Sequence, residues 1–276
     1  MLLTGPAQRL MARMHRFRRA PREALLVWQA VSLSGVLAAL SLAPASVAGF
    51  SEAPTWLVWL GLLIAAAMVA RLLWSGHTVG SGIRADRRRH RDLVDLLGTH
   101  ADPVHGTQVR VLAHPTPTAY CLPGLRRRVV LSEGALAALP ADELTAVLAH
   151  ERAHLRARHD LVLEFFTVLH RSAPPWLRAP EALREVRLLI EVLADRAARR
   201  TAGEVPLARA LVTLARGAHP QEALGAGGES GGESTTAARM ALLAQPTAGF
   251  GMRLVMTAFG LVVVAAPVLL LFMALV

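Results

Sequence analysis

Ala149-His150-Glu151-Arg152-Ala153-His154-Leu155 sets two imidazoles and a carboxylate in the pattern H-E-x-x-H. The residues just before it, Asp142 to Leu148, favour a helix. Four residues on a helix make just over one turn, so His150 and His154 point the same way. Two imidazoles so placed can grip one Zn²⁺ while Glu151 faces the metal's open position. Zinc lowers the pKa of a bound water toward neutrality, and a carboxylate beside it can take the proton as that water attacks a carbonyl. The chemistry implied is peptide hydrolysis with one Zn²⁺ per chain, His150 and His154 as ligands and Glu151 as base. The rival reading is a solvated helix face. Against it, Leu144, Val147, Leu148 and Glu151 fall at i, i+3, i+4 and i+7, which puts the pattern on the buried side, where such groups need partners.

A third ligand is required. One extended zinc motif places a histidine six residues after the second, with a glycine between; here those positions hold Asp160 and Ala157. His159 is therefore read as a supporting or surface residue, and the ligand must lie further on. The helix predicted from about Pro180 (EALREVRLLIEVLADRAARR) offers Glu181, Glu185, Glu191 and Asp195. Glu181 and Glu185 sit near the helix start, where acidic residues favour the dipole without further role. Glu191 and Asp195 share one face at i, i+4 among Ile190, Val192, Leu193 and Ala194. Glu191 is the expected third ligand, and Asp195 the carboxylate that accepts a hydrogen bond from a ligand histidine.

The elements that position these residues belong to an unusually apolar chain. Of 276 residues 53% are hydrophobic, and mean hydropathy is +0.40, too high for an ordinary soluble domain. The formal net charge is +10, carried by arginine alone, with no lysine, which reads as coding bias. The arginines cluster beside apolar spans, so the positive-inside bias explains them better than nucleic-acid binding, and no direct nucleic-acid contact is expected. A single cysteine, Cys121, excludes an intramolecular disulfide and a cysteine metal cluster.

Residues 1–22 are basic, and 23–75 are read as two transmembrane helices: Ala24 to about Ala43, then Pro54 to Trp74 with tryptophans near both ends. A cleaved signal peptide fits less well, because the apolar part is longer than a typical signal core. The loop between the spans, Pro44 to Ala53, has no Lys or Arg. Gly76, Gly80 and Gly82 suggest a loop before a charged helix, Arg84 to Leu97. Basic residues before the first span and after the second place both on the cytoplasmic side, with the zinc site.

Residues 84–216 are the expected cytoplasmic zinc metallopeptidase domain. Val109 to Leu112, Ala119 to Leu122 and Arg128 to Leu131 read as strands of a small sheet beside the zinc helix. Such a sheet can serve as scaffold alone, or lend an edge to which a substrate peptide adds as a strand. Leu161 to Leu169 is an apolar helical stretch too short to span. Residues 217–249, with a Gly/Ser-rich run at Gly225 to Glu233, read as a flexible linker, and 254–276 as a C-terminal transmembrane helix that tolerates Pro267. The expected fold is a mainly α membrane protein: about three transmembrane helices around a zincin-like α+β metallopeptidase domain with a small β-sheet.

His150-Glu151-x-x-His154 followed by Glu191-x-x-Ala194-Asp195 resembles the integral-membrane gluzincins, and is most similar to the BlaR/MecR-type peptidases that transduce β-lactam sensing. Ala119 to Gly124, Arg128 to Ser132 and the pair His159-Asp160 add to the likeness. The resemblance implies a multi-pass protein of the plasma membrane with its protease facing the cytoplasm. It implies zinc on His150, His154 and Glu191, Glu151 as general base and Asp195 in support. Its implied partners are the lipid bilayer and a protein or peptide substrate, either a transcriptional repressor or the chain itself. No sensor domain follows the last span, so regulatory proteolysis without direct β-lactam sensing is expected. A membrane quality-control protease of the heat-shock type would use the same ligands. A non-catalytic signalling protein with a structural zinc site fits less well, since such sites are closed by four ligands and would leave Glu151 without a task.

Overall fold

The computed structural model describes residues 6–49, 54–104, 107–124, 127–217 and 232–275. In chain order, α1 (Pro6–Ala12), α2 (Pro21–Gly49) and α3 (Thr55–Leu97) precede the strands β1 (Thr99–Val104), β2 (Thr107–Leu112), β3 (Ala119–Leu122) and β4 (Arg128–Ser132). There follow α4 (Glu133–Ala138), α5 (Ala141–Ala157), α6 (His159–Ser172), α7 (Pro180–Ala202), α8 (Glu204–Gly217), α9 (Gly232–Leu243) and α10 (Phe250–Leu275). These elements divide between two compact units, one of Met1–Ser81, Leu163–Leu189 and Thr247–Val276, the other of Gly82–Val162 and Ile190–Pro246.

In the first unit α2 packs along α10. Ala24, Val27, Trp28 and Val31 form the buried face of α2, and Met256, Gly260 and Pro267 face inward from α10. A side chain at Gly260 would stand 3.7 Å from Ala30 and 3.8 Å from Val27, so the small residue lets the two helices approach closely. Two ion pairs fix the ends: Arg253 Nε donates to Glu23 at 2.6 Å, and Arg18 grips Glu185 with two bonds of 2.8 and 2.6 Å.

Among the described residues two helices are long and apolar enough to cross a membrane, α3 and Phe250–Met273 within α10. About three were expected. Residues Ala24 to Ala43 do form a helix, but α2 is not among the two candidates; it buries Ser32, Ser34 and Glu23 along with its apolar face. The expected glycine loop is also absent: α3 runs unbroken through Gly76, Gly80 and Gly82 to Leu97. Its glycines are spaced along a stretch where Ser75, Val79 and Gly80 are buried, and packing outweighs the weak helix propensity of glycine.

In the second unit the sheet order is β1-β2-β4-β3, with β2 and β4 parallel and the outer pairs antiparallel. β1 is an addition to the expected strands. β4 is buried at every residue and sends alternate side chains to opposite faces. Val129 and Leu131 join Val147, Leu148 and Leu155 of α5 with Ala210 of α8, while Val130 packs with Val94 of α3 and Leu122. Ser132 closes β4 and caps α4: its Oγ accepts from Ala135 N at 3.0 Å and Thr118 N at 2.9 Å and donates to Thr116 O at 2.7 Å. Gly134 is required beside it, because a Cβ there would lie 1.9 Å from the Pro115 carbonyl oxygen. Ala146 and Ala149 of α5 meet Ala198 of α7, Leu207 and Leu211 of α8 and Leu243 of α9. Of the segment 217–249, read as a linker, Gly232–Leu243 is thus helix and in part core, and 218–231 lies outside the described residues.

Candidate metal centre

α5 begins with Asp142 and Glu143 in its first turn, where they complement the helix dipole. It ends at Arg158, whose left-handed backbone (φ 53°) turns the chain directly into α6 at His159. Between these ends His150 is buried and His154 half-buried, with their Nε2 atoms 3.1 Å apart. α7 brings up Glu191: Oε2 lies 3.3 Å from His150 Nε2 and Oε1 3.5 Å from His154 Nε2. Two ligands about 2.0–2.1 Å from a tetrahedral Zn²⁺ are separated by about 3.3–3.4 Å, the edge of that tetrahedron. The imidazole pair and the two carboxylate oxygens, each beside a different histidine, lie near that length, and His150, His154 and Glu191 form a group that could hold a metal ion.

Behind this group stands a row of supports. Asp195, one turn after Glu191 and fully buried, places Oδ1 2.9 Å from His150 Nδ1. His159, buried, sets its Nδ1 3.1 Å from His154 Nδ1, so each histidine of the pair has a polar group close to the nitrogen turned away from the cluster. His159 was read as support or surface and not as ligand; it is buried against His154. Arg239 of α9 was not foreseen. Its Nε donates to Asp195 Oδ2 at 2.8 Å and its Nη2 to Oδ1 at 2.6 Å, and Nη1 lies 3.1 Å from Glu191 Oε2. Burial, and after it the charge of Glu151, raises the thiol of Cys121 on β3, a neighbour also unforeseen here.

Glu151, Glu191, Asp195 and Arg239 gather round the two histidines, and each shifts the acidity of its neighbours. Burial alone would depress His150, but hydrogen bonds to Asp195 and Glu191 outweigh it and bring it up to about 10. Burial pushes His154 down to about 4, against the pull of Glu191. For Glu191 burial acts upward, yet the His150 hydrogen bond and the positive charges of His150 and Arg239 hold it down to about 2. Asp195 is held below the usual carboxylate range by Arg239 and His150 in spite of its burial. Glu151 goes the other way: burial raises it, opposed by His150 and reinforced by the charge of Glu191. The neighbouring carboxylates are thus driven apart in acidity, one pair held ionised and the third made more basic.

Residues 84–178 match the model of peptidase family M48.

The matched segment covers less than half of the chain and carries a metallopeptidase signature. It takes in the sheet and α5, hence His150, Glu151 and His154, and stops before Glu191, Asp195 and Arg239. No curated protein and no solved structure matches the chain. The metallopeptidases of this family depend on a metal, and the His–His–Glu group supplies a place for one.

Proposed function

We propose that this chain is a membrane-held zinc endopeptidase. His150, His154 and Glu191 hold the metal, Glu151 is the general base and Asp195 orients His150. The observation that supports this most strongly is the convergence of the two imidazole nitrogens and the Glu191 carboxylate, one ligand atom from each within 4.8 Å of the others, partly inside the segment that matches the peptidase family. A bound Zn²⁺ supplies a Lewis acid for the scissile carbonyl and makes water a nucleophile near neutral pH. Glu151 takes the proton of the attacking water and passes it to the leaving amine nitrogen. Asp195 and Arg239 fix His150 and Glu191, and His159 fixes His154. β3 is an outer strand of the sheet and packs against α5, which favours a substrate backbone that pairs with it as an added strand.

The working place is the cytoplasmic face of the plasma membrane, with α3 and α10 as spans and α2 crossing beside α10, so that Arg9 and Arg18 share a side with Arg178 and Glu185. The reading rests on the length and apolar character of α3 and α10, on the packing of α2 along α10, and on the basic run Arg84 to Arg91 after the apolar part of α3. The task is regulatory proteolysis of the BlaR/MecR kind, acting on a repressor or on the chain itself. A quality-control protease of the heat-shock type would use the same centre, and a match confined to the peptidase segment serves both readings alike.

The test of activity is Glu151→Gln in detergent-purified protein. The variant keeps its metal and loses at least a hundredfold in cleavage of a test protein, the scale of a lost general base. Wild-type turnover in the variant would remove Glu151 from the mechanism.

A further inference from the structure

The turn between α6 and α7 lies outside everything the peptidase chemistry uses, yet it is firmly built. Arg71 of α3 donates from Nε to Ser172 O at 2.5 Å and from Nη2 to Ala173 O at 3.5 Å. Ser75 Oγ donates to Val168 O at 2.9 Å, and a Cβ on Gly76 would sit 3.9 Å from Val168, so the last turn of α6 lies close along α3. Within the turn, Arg178 Nε donates to Ala173 O at 3.1 Å, and Arg9 Nη2 donates to Arg178 O at 3.1 Å. These bonds hold Ser172 and Ala173 level with Arg71, one turn short of Trp74, where the apolar run of α3 ends.

On this braced turn Trp176 is 66% exposed, between Pro175 and Leu177, and Arg171 on the last turn of α6 is exposed too. Trp74, at the end of the run, is 71% exposed. Among the described residues nothing covers this large indole. Its apolar rings and single N–H suit the boundary between lipid headgroups and acyl chains, and the guanidinium of Arg171 suits the phosphates there.

We infer that the Ala173–Arg178 turn is an interfacial membrane anchor. Trp176 seats in the headgroup–acyl boundary of the bilayer that α3 enters, with Arg171 against anionic headgroups. The inference rests on the membrane reading of α3. It gives the chain a contact with lipid that no spanning helix provides, at the point where α7, the helix of Glu191, begins.

Nitroxide labels on Trp176→Cys, Leu63→Cys and Leu96→Cys, each in a Cys121→Ser full-length chain, test it. Leu63 and Leu96 are both exposed on α3, Leu63 inside the apolar run and Leu96 roughly 33 Å beyond Trp74 along the helix. The chains are placed in vesicles of phosphatidylcholine and phosphatidylglycerol and relaxed by oxygen or by a water-soluble nickel chelate. Leu63 and Trp176 labels respond more to oxygen, the Leu96 label more to nickel. A Trp176 label that behaves like Leu96 while Leu63 reads as lipid overturns the anchor and leaves the membrane reading standing. A Trp176 label shielded from both agents overturns it as well, because a protein surface then covers the turn. A Leu63 label relaxed by nickel defeats the membrane reading itself, and the anchor with it.

Discussion

Glu191 and Glu185 lie on the same helix and look alike in sequence, but their surroundings differ. Glu185 is buried against Arg18, while Glu191 faces two histidine nitrogens at 3.3 and 3.5 Å. Glu191→Ala is expected to lower zinc occupancy well over tenfold, and Glu185→Ala to leave it near one per chain while costing stability. Metal analysis of both variants after equal dialysis decides the matter, and equal occupancy would show that Glu191 is not the ligand. The positions of His150, Glu151 and His154 were legible because the motif is local: helix geometry alone puts the two imidazoles on one face. Glu191 and Asp195 were legible from their i, i+4 spacing in an apolar setting. His159 was only half legible, since nothing local distinguishes a histidine that supports His154 from one in solvent. Arg239 was not legible at all. It follows a Gly/Ser-rich run and is one arginine among many; only the fold brings it to Asp195.

At the scale of elements, that arginine ties α9 to α7. Its guanidinium is 13% exposed and makes two bonds to an Asp195 with no exposure. Removing one partner of such a pair leaves the other charge buried, at a cost of about 3–5 kcal/mol. Arg239→Leu should therefore lower the unfolding midpoint sharply in detergent, and the double variant with Asp195→Asn should recover part of the loss. A single variant that melts like the wild type would mean that α9 is not held by this pair. The elements themselves were unevenly legible. β2, β3 and β4 are short apolar runs bounded by Pro and Gly, and they appear where expected. β1, Thr99 to Val104, has no alternating apolar pattern and owes its strand form to antiparallel pairing with β2. Glycines suggested a break in α3, but burial of Ser75, Val79 and Gly80 holds the helix together.

For the whole molecule, the division into units sets chemistry apart from the apolar helices. His150, His154, Glu191, Asp195 and Arg239 all fall in the unit of Gly82–Val162 and Ile190–Pro246. The apolar part of α3 and all of α10 fall in the other. The apolar run of α2 was legible as a helix, but its partner was not: only the fold shows that it packs along α10. If α3 and α10 cross the membrane with the basic side inward, a reporter fused after Arg89 is cytoplasmic and one fused after Val276 is external. Reversed signals would place the metal centre outside the cell and contradict the proposed substrates.

The measurement that bears most directly on the centre is zinc-edge X-ray absorption on the purified full-length chain. The expected spectrum shows about one zinc per chain with only nitrogen and oxygen neighbours at about 2.0–2.2 Å and the outer-ring signature of two imidazoles. Absence of zinc, or a sulfur neighbour at about 2.3 Å that brings Cys121 into the ligand set, would contradict a His150–His154–Glu191 site.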